Sequence, residues 1–320
     1  VPGAVVAAVN TPADDEVPIF KAFHELFGTS TKKGRGPAKA TLALRDIILD
    51  VLDSDAGPWT VRQLFYACSV RGAVEKSEAG YRQAQRQVLL MRREGLIDYS
   101  VIADNTRWMR KPATFDSLDA WVKNSMHNLR LDLWRDSDAR VEVWCEKDAL
   151  AGVLYDITGK WHVPLMVTRG YSSETFAYGA AENINDDTRT TYIYYVGDFD
   201  PSGVNAAEDL DARLRGFLDD EDKLVFTRLA VTPEQIKEWN LPARPTKTTD
   251  TRYKDFKRRY GNVESTELDS IPPSDLRQLV EDAIVHHIDG NQVKAIEAEE
   301  FNARELVKKT FGQVLGGAAA

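Results

Sequence analysis

Apolar residues recur at helical spacing from Leu44, with Ile47, Ile48, Val51 and Leu52 completing one face before the run stops at DSDAGP (53–58). A second helix is predicted over residues 61–70 and a third over 79–94, closed by Gly95. On a helical wheel the third sets Tyr81, Ala84, Val88 and Met91 on one arc and Arg82, Arg86 and Arg93 on the opposite one. LIDYSVI (96–102) then reads as a short strand entering a hairpin at Asp104 and Asn105. Three helices and a β-element outline a winged helix over residues 42–112, whose arginine stripe suits a DNA groove.

Residues 113–138 hold a predicted connecting helix, DSLDAWVKNSMHNLRLDLWR (116–135), with Leu118, Trp121, Val122, Leu129 and Leu133 apolar. Beyond it the period changes. VEVWC (141–145), VPLMVT (163–168), YIYYVG (192–197) and KLVFTRLAV (223–231) read as strands, with amphipathic helices between them. Strand alternating with helix predicts an α/β domain over 139–235, its parallel sheet flanked by helices. The remainder, 236–320, is expected to form a helical extension packed on that domain.

Composition narrows the function classes. No run approaches the ~18 consecutive apolar residues of a membrane span, and VPGAVVAAVN lacks the basic flank of a signal peptide, so a cytoplasmic, nucleoid-associated protein without membrane partners is expected. Cys68 and Cys145 fall in unrelated contexts and predict neither a disulfide framework nor a thiolate metal site; the adjacent His286 and His287 are a poor chelate. The net charge of -9 is unevenly placed: residues 31–111 carry 15 Lys and Arg against 9 Asp and Glu, whereas 141–320 carry 21 against 32. A basic module joined to an acidic one fits polyanion binding beside a cation site. The first 41 residues, with Lys32, Lys33 and Arg35, read as a basic flexible arm, either a DNA contact or a solvated linker.

Candidate chemistry lies where strands end, because open α/β sheets collect function at the carboxyl ends of their strands. The first strand runs into Glu146 and Lys147, the second into Arg169, and the third into Gly197-Asp198-Phe199-Asp200. Three carboxylates, Glu146, Asp198 and Asp200, grouped without His or Cys, suit Mg²⁺ and phosphoryl chemistry.

EKDAL, RGYSSETF and GDFDPSG, in that order with helices between, resemble the Toprim domain of topoisomerases, bacterial primases and certain nucleases. The likeness is greatest to the A subunit of type IIB topoisomerase (topoisomerase VI) and the related transesterases that make meiotic double-strand breaks. It covers residues 42–235. The resemblance implies Mg²⁺ held by Glu146, Asp198 and Asp200; Lys147, beside Glu146, reads as either a phosphate contact or tuner of the site or a solvated lysine. The resemblance also implies a nucleophilic tyrosine after an arginine, carried here by Arg62 and Tyr66 of TVRQLFYACS, at i and i+4 of one helix. Tyr66 would become joined to a DNA 5′ end, and the rim of a partner subunit would complete the site in a homodimer. Topoisomerase VI also needs a separate ATPase subunit, and this chain carries no ATPase module.

Two other readings stand beside that one: a Toprim nuclease that activates water, and a non-catalytic winged-helix DNA-binding protein. Arg107 and Arg169 follow predicted strands and could meet double-stranded DNA. RYKDFKRRYG (252–261) interleaves basic and aromatic residues, as either a nucleic-acid contact or a helix with an aromatic inner face. ELDSIPPSDL (267–276) reads as a turn and helix start with no chemistry.

Overall fold

The computed structural model describes residues 39–55, 57–103 and 112–317. Three helices open it: α1 (Lys39–Asp53), α2 (Val61–Val70) and α3 (Glu78–Arg93). Thr60 starts α2 with a capping box, its hydroxyl accepting from Gln63 N while the Gln63 side chain accepts from Thr60 N. The three pack around Leu44, Ile48, Leu64, Phe65, Ala84, Val88 and Met91, with Tyr81 at the margin, so the seam lies where the pattern put it.

The expected strand over LIDYSVI is instead a 3₁₀ turn, Tyr99–Val101. Asp98 explains the difference: its carboxylate accepts from Ser100 N at 2.7 Å and from the Ser100 hydroxyl at 2.6 Å, winding the backbone into a turn. What β character remains is one parallel bridge, Trp59 to Ile102. The expected hairpin at Asp104 and Asn105 lies outside the described residues. The connecting helix α4 is shorter than predicted, Leu118–His127. Asn128 turns back on Asn124, and Asp132 accepts from Trp134 N, so local side-chain bonds hold residues 128–134 out of helix.

Four parallel strands follow: β1 (Ala139–Cys145), β2 (Leu165–Val167), β3 (Thr190–Val196) and β4 (Leu224–Ala230), in the order β2-β1-β3-β4. Their connections carry α5 (Ala151–Lys160), α6 (Glu174–Asn185) and α7 (Pro201–Phe217). Alternation along the strands feeds two cores. Val141, Val143, Cys145 and Val196 join α5 on one face, while Trp144, Ile193 and Tyr195 join α6 and α7 on the other. Strand order reverses between β1 and β3, which opens a crevice at their carboxyl ends.

After β4 come α8 (Pro233–Glu238), α9 (Tyr253–Tyr260), α10 (Pro273–Val285) and α11 (Gly290–Gly317). Leu276, Val280 and Ile284 of α10 share the core with Leu150, Val153 and Leu154. The helical extension thus packs on the sheet domain. Cys68 and Cys145 are buried in different cores. No helix among the described residues is long and apolar enough to cross a membrane.

Candidate active site

The crevice between β1 and β3 holds the first two carboxylates. Glu146 continues β1 by donating its backbone N to Val196 O at 2.9 Å, and its Oε2 accepts from Asp198 N at 2.9 Å. Gly197 permits that approach, because a Cβ there would stand 2.6 Å from Glu146 Oε2 and 2.6 Å from the Tyr195 ring. Phe199 is buried between the two aspartates and exchanges backbone bonds with Thr266 at 2.8 and 2.9 Å. Asp198 and Asp200 thereby stay at the rim while the ring anchors the loop. Asp200 caps α7 through Gly203 N at 2.7 Å, with Pro201 at the first helical position.

Beneath the loop, Arg228 of β4 donates to the carbonyls of Val231, Gly197, Asp198 and Gly203. Its forked guanidinium thus fixes the backbone that presents Asp198. Each carboxylate spends one oxygen on this framework: Glu146 Oε2, Asp198 Oδ1 (also bonded to Leu268 N at 2.7 Å) and Asp200 Oδ1. Among the described residues the second oxygen of each makes no hydrogen bond.

The charge around them is organised by Glu267 and Asp269, two acids of the ELDSIPPSDL segment, where a turn without chemistry is expected from sequence; the structure instead pairs both at the rim. Lys147 Nζ lies 2.6 Å from Asp269 Oδ2, 2.8 Å from Asp198 Oδ1 and 3.6 Å from Glu267 Oε2. Burial alone would lower the Lys147 pKa, but these carboxylates raise it well above the ordinary lysine value. Glu267 also grips Arg62 at 2.6 and 2.7 Å and Arg244 at 2.7 Å. Burial opposes its ionisation, yet the Arg62 hydrogen bonds and the Lys147 and Arg244 charges hold it down to about 2. Glu146 goes the other way: burial, then the Asp198 charge, push it up to about 7. Burial likewise raises Asp198.

Arg62, Lys147, Arg169 and Asp198 line one cleft of about 570 Å³, together with Thr60, Tyr81, Asp148, Glu267 and Asp269. Arg169 adopts a left-handed φ of 54°, followed by Gly170 at 81°, a strained turn for an arginine, and its exposed guanidinium reaches Asp148 at 2.8 Å. Thr60 donates its hydroxyl to Asp269 at 3.1 Å, so α2 is docked on the acid rim of its own chain.

Tyr66 is not in that cleft. Its ring is 3% exposed, packs on Phe65 at 5.1 Å and faces a neighbouring pocket with Asp269 and Ser270. Burial, then the Glu267 charge, push its phenol up to about 12. Arg62, expected to assist it, is bonded to Glu267 instead. Arg82, Arg86 and Arg93 stand exposed on α3, with Arg82 3.5 Å from Glu78. Lys32, Lys33, Arg35 and Arg107 lie outside the described residues.

The hard-oxygen donor set fits Mg²⁺, which keeps several waters and needs only one or two carboxylates. In the present arrangement no group of three or more His, Cys, Asp or Glu among the described residues is spaced to enclose an ion. The chemistry of the donors therefore fits better than their spacing, with Lys147 serving as the cation beside Asp198. No protein-family model and no curated protein matches this chain.

Proposed function

We propose that the chain is a Mg²⁺-dependent DNA-cleaving enzyme whose reaction runs at the crevice between β1 and β3. The observation that carries this reading is the trio Glu146, Asp198 and Asp200, each fixed through one oxygen and, among the described residues, unclaimed at the other. Those three side chains, not spaced to enclose an ion in the arrangement described, would have to close on it, and the ion would supply neutralisation of charge on a phosphate undergoing transfer. Lys147 is held at the same rim and orients Asp198. Arg82, Arg86 and Arg93 would meet the duplex backbone.

In the topoisomerase-like form of the reading, Tyr66 attacks phosphorus. The tyrosyl oxygen gives up its proton, the new O–P bond forms, and the DNA 3′ oxygen leaves, so the 5′ end stays on the protein and a free 3′ hydroxyl remains. Two chains would act together, each presenting Tyr66 to the partner's rim, and a separate ATPase subunit would turn cleavage into strand passage. A second form, hydrolysis by water, is favoured by one observation: Tyr66 is 3% exposed with its phenol pushed up to about 12, so the arrangement described does not offer it as a phenolate.

The deciding experiment incubates duplex DNA with the protein and Mg²⁺, then denatures the mixture. Nicks with protein-linked 5′ ends that vanish in Tyr66→Phe support the tyrosine form. Nicks that persist in Tyr66→Phe and vanish in Asp198→Ala support the water form. Cutting that survives Asp198→Ala would sink both.

A further inference from the structure

The two faces of α9 have different uses. On the inner face Phe256 is 4% exposed and stacks 5.1 Å from Phe199, with Tyr260 5.0 Å from both rings. The aromatic spacing of RYKDFKRRYG therefore belongs to the core. It seats the helix directly behind the residue that separates Asp198 from Asp200. That accounts for the aromatics and leaves the cations unexplained.

On the outer face Lys254, Lys257 and Arg258 are exposed. Arg258 is offset by Asp255 one turn earlier, whereas Lys254 and Lys257 form no ion pair among the described residues. Arg259 is tied to Glu208 and belongs to the fold. At the head of the helix, Arg252 lies 5.3 Å over the ring of Tyr171, which links α9 to the turn carrying Arg169. Residues 141–320 carry only 21 Lys and Arg against 32 Asp and Glu, yet five of those cations fall between 252 and 260. Arg252, Arg258 and Arg259 are paired with Asp250, Asp255 and Glu208, but Lys254 and Lys257 form no ion pair among the described residues. Together with Arg258 they gather on the one side of α9 that faces away from Phe199, on a helix seated against the loop that carries Asp198 and Asp200.

We infer that the outer face of α9 is a phosphate-contact surface for the DNA duplex flanking the acid rim. This rests on the DNA reading proposed above and adds a second contact surface, on the sheet domain, to that of α3. Contacts to phosphates release counterions, so each lost contact makes binding less salt-dependent.

The test measures duplex affinity against salt for the full chain and for the combined variant Lys254→Gln, Lys257→Gln and Arg258→Gln. The expected result is a log–log salt slope shallower by about 2 to 3 and affinity near 0.1 M salt lowered at least ~10-fold. Thermal melting stays unchanged, because all three side chains are exposed. A control variant removes the same charge from α11, at Lys294, Lys308 and Lys309, and keeps the wild-type slope. If the α9 variant binds as the wild type does, or if the α11 control falls equally, the surface is wrongly placed. If the wild type binds no DNA at any salt, the DNA reading itself fails and takes this surface with it.

Discussion

Glu146 and Glu267 stand at the same rim, both held away from bulk water, and differ in what answers their charge. Glu267 faces Arg62, Arg244 and Lys147 and is held down to about 2. Glu146 makes no ion pair among the described residues, accepts from one backbone amide, and is pushed up to about 7 by burial and the Asp198 charge. A buried acid with its cations in place is a clamp; one without them holds its proton more tightly and, in the function proposed above, is left to take a cation. Glu267 ties the three-helix unit to the sheet domain, and Glu146 offers an uncommitted oxygen to whatever enters the crevice.

The largest effect expected from breaking that division is on cleavage. Asp198→Ala removes the neighbour that shares the crevice with Glu146 and should slow DNA nicking by about 1,000-fold, the several kcal/mol a bound cation contributes to phosphoryl transfer. Nicking at the wild-type rate would place the chemistry elsewhere.

Next in size is the clamp. Glu267→Gln leaves Arg62, Arg244 and Lys147 short of their counter-charge and should cost about 3 kcal/mol in denaturant unfolding. Because the folded pKa is depressed from 4.5 to about 2, the stabilisation is complete above pH 4.5 and is lost as pH falls towards 2. The gap between wild type and variant should close over that interval; a gap that persists at pH 2 would mean that packing, not charge, holds α2 in place.

Glu146 should respond in the opposite sense. Its folded pKa is raised from 4.5 to about 7, so the folded state holds the proton more tightly and wild-type stability falls as pH rises through that window. Without divalent cations, Glu146→Gln should be more stable than the wild type at pH 8 by about 2 kcal/mol, an advantage that fades below pH 4.5. A destabilised variant at pH 8 would make Glu146 a second clamp and erase the comparison.

Sequence patterning carried the strand-borne half of the site because strands announce themselves. YIYYVG alternates into two cores, and the acids that follow it have nowhere to go but the rim. The other half was hidden for a physical reason. Glu267 and Asp269 find their partners Arg62 and Thr60 more than 200 positions away, and no local period encodes such a contact. The available signal was ELDSI itself, where Glu267 and Asp269 flank the fully buried Leu268, with Ile271 buried close behind, so the two acids must be paired. LIDYSVI misled in the opposite direction, its β-branched residues outweighed by the Asp98 side chain. TVRQLFYACS formed the expected helix, but Phe65 and Tyr66 both went into the core.

The smallest stability effect belongs to Tyr66→Phe, which deletes one hydroxyl from a packed ring and should shift unfolding by less than about 1 kcal/mol. A larger loss would make the phenol a structural group and any fall in cleavage ambiguous.

Calorimetric titration of Mg²⁺ into the metal-free protein at pH 8, beside Glu146→Gln, tests the contrast most directly. Saturable binding by the wild type, weakened at least ~10-fold in the variant, is the predicted result. Equal binding by both proteins, or none by the wild type, would contradict it.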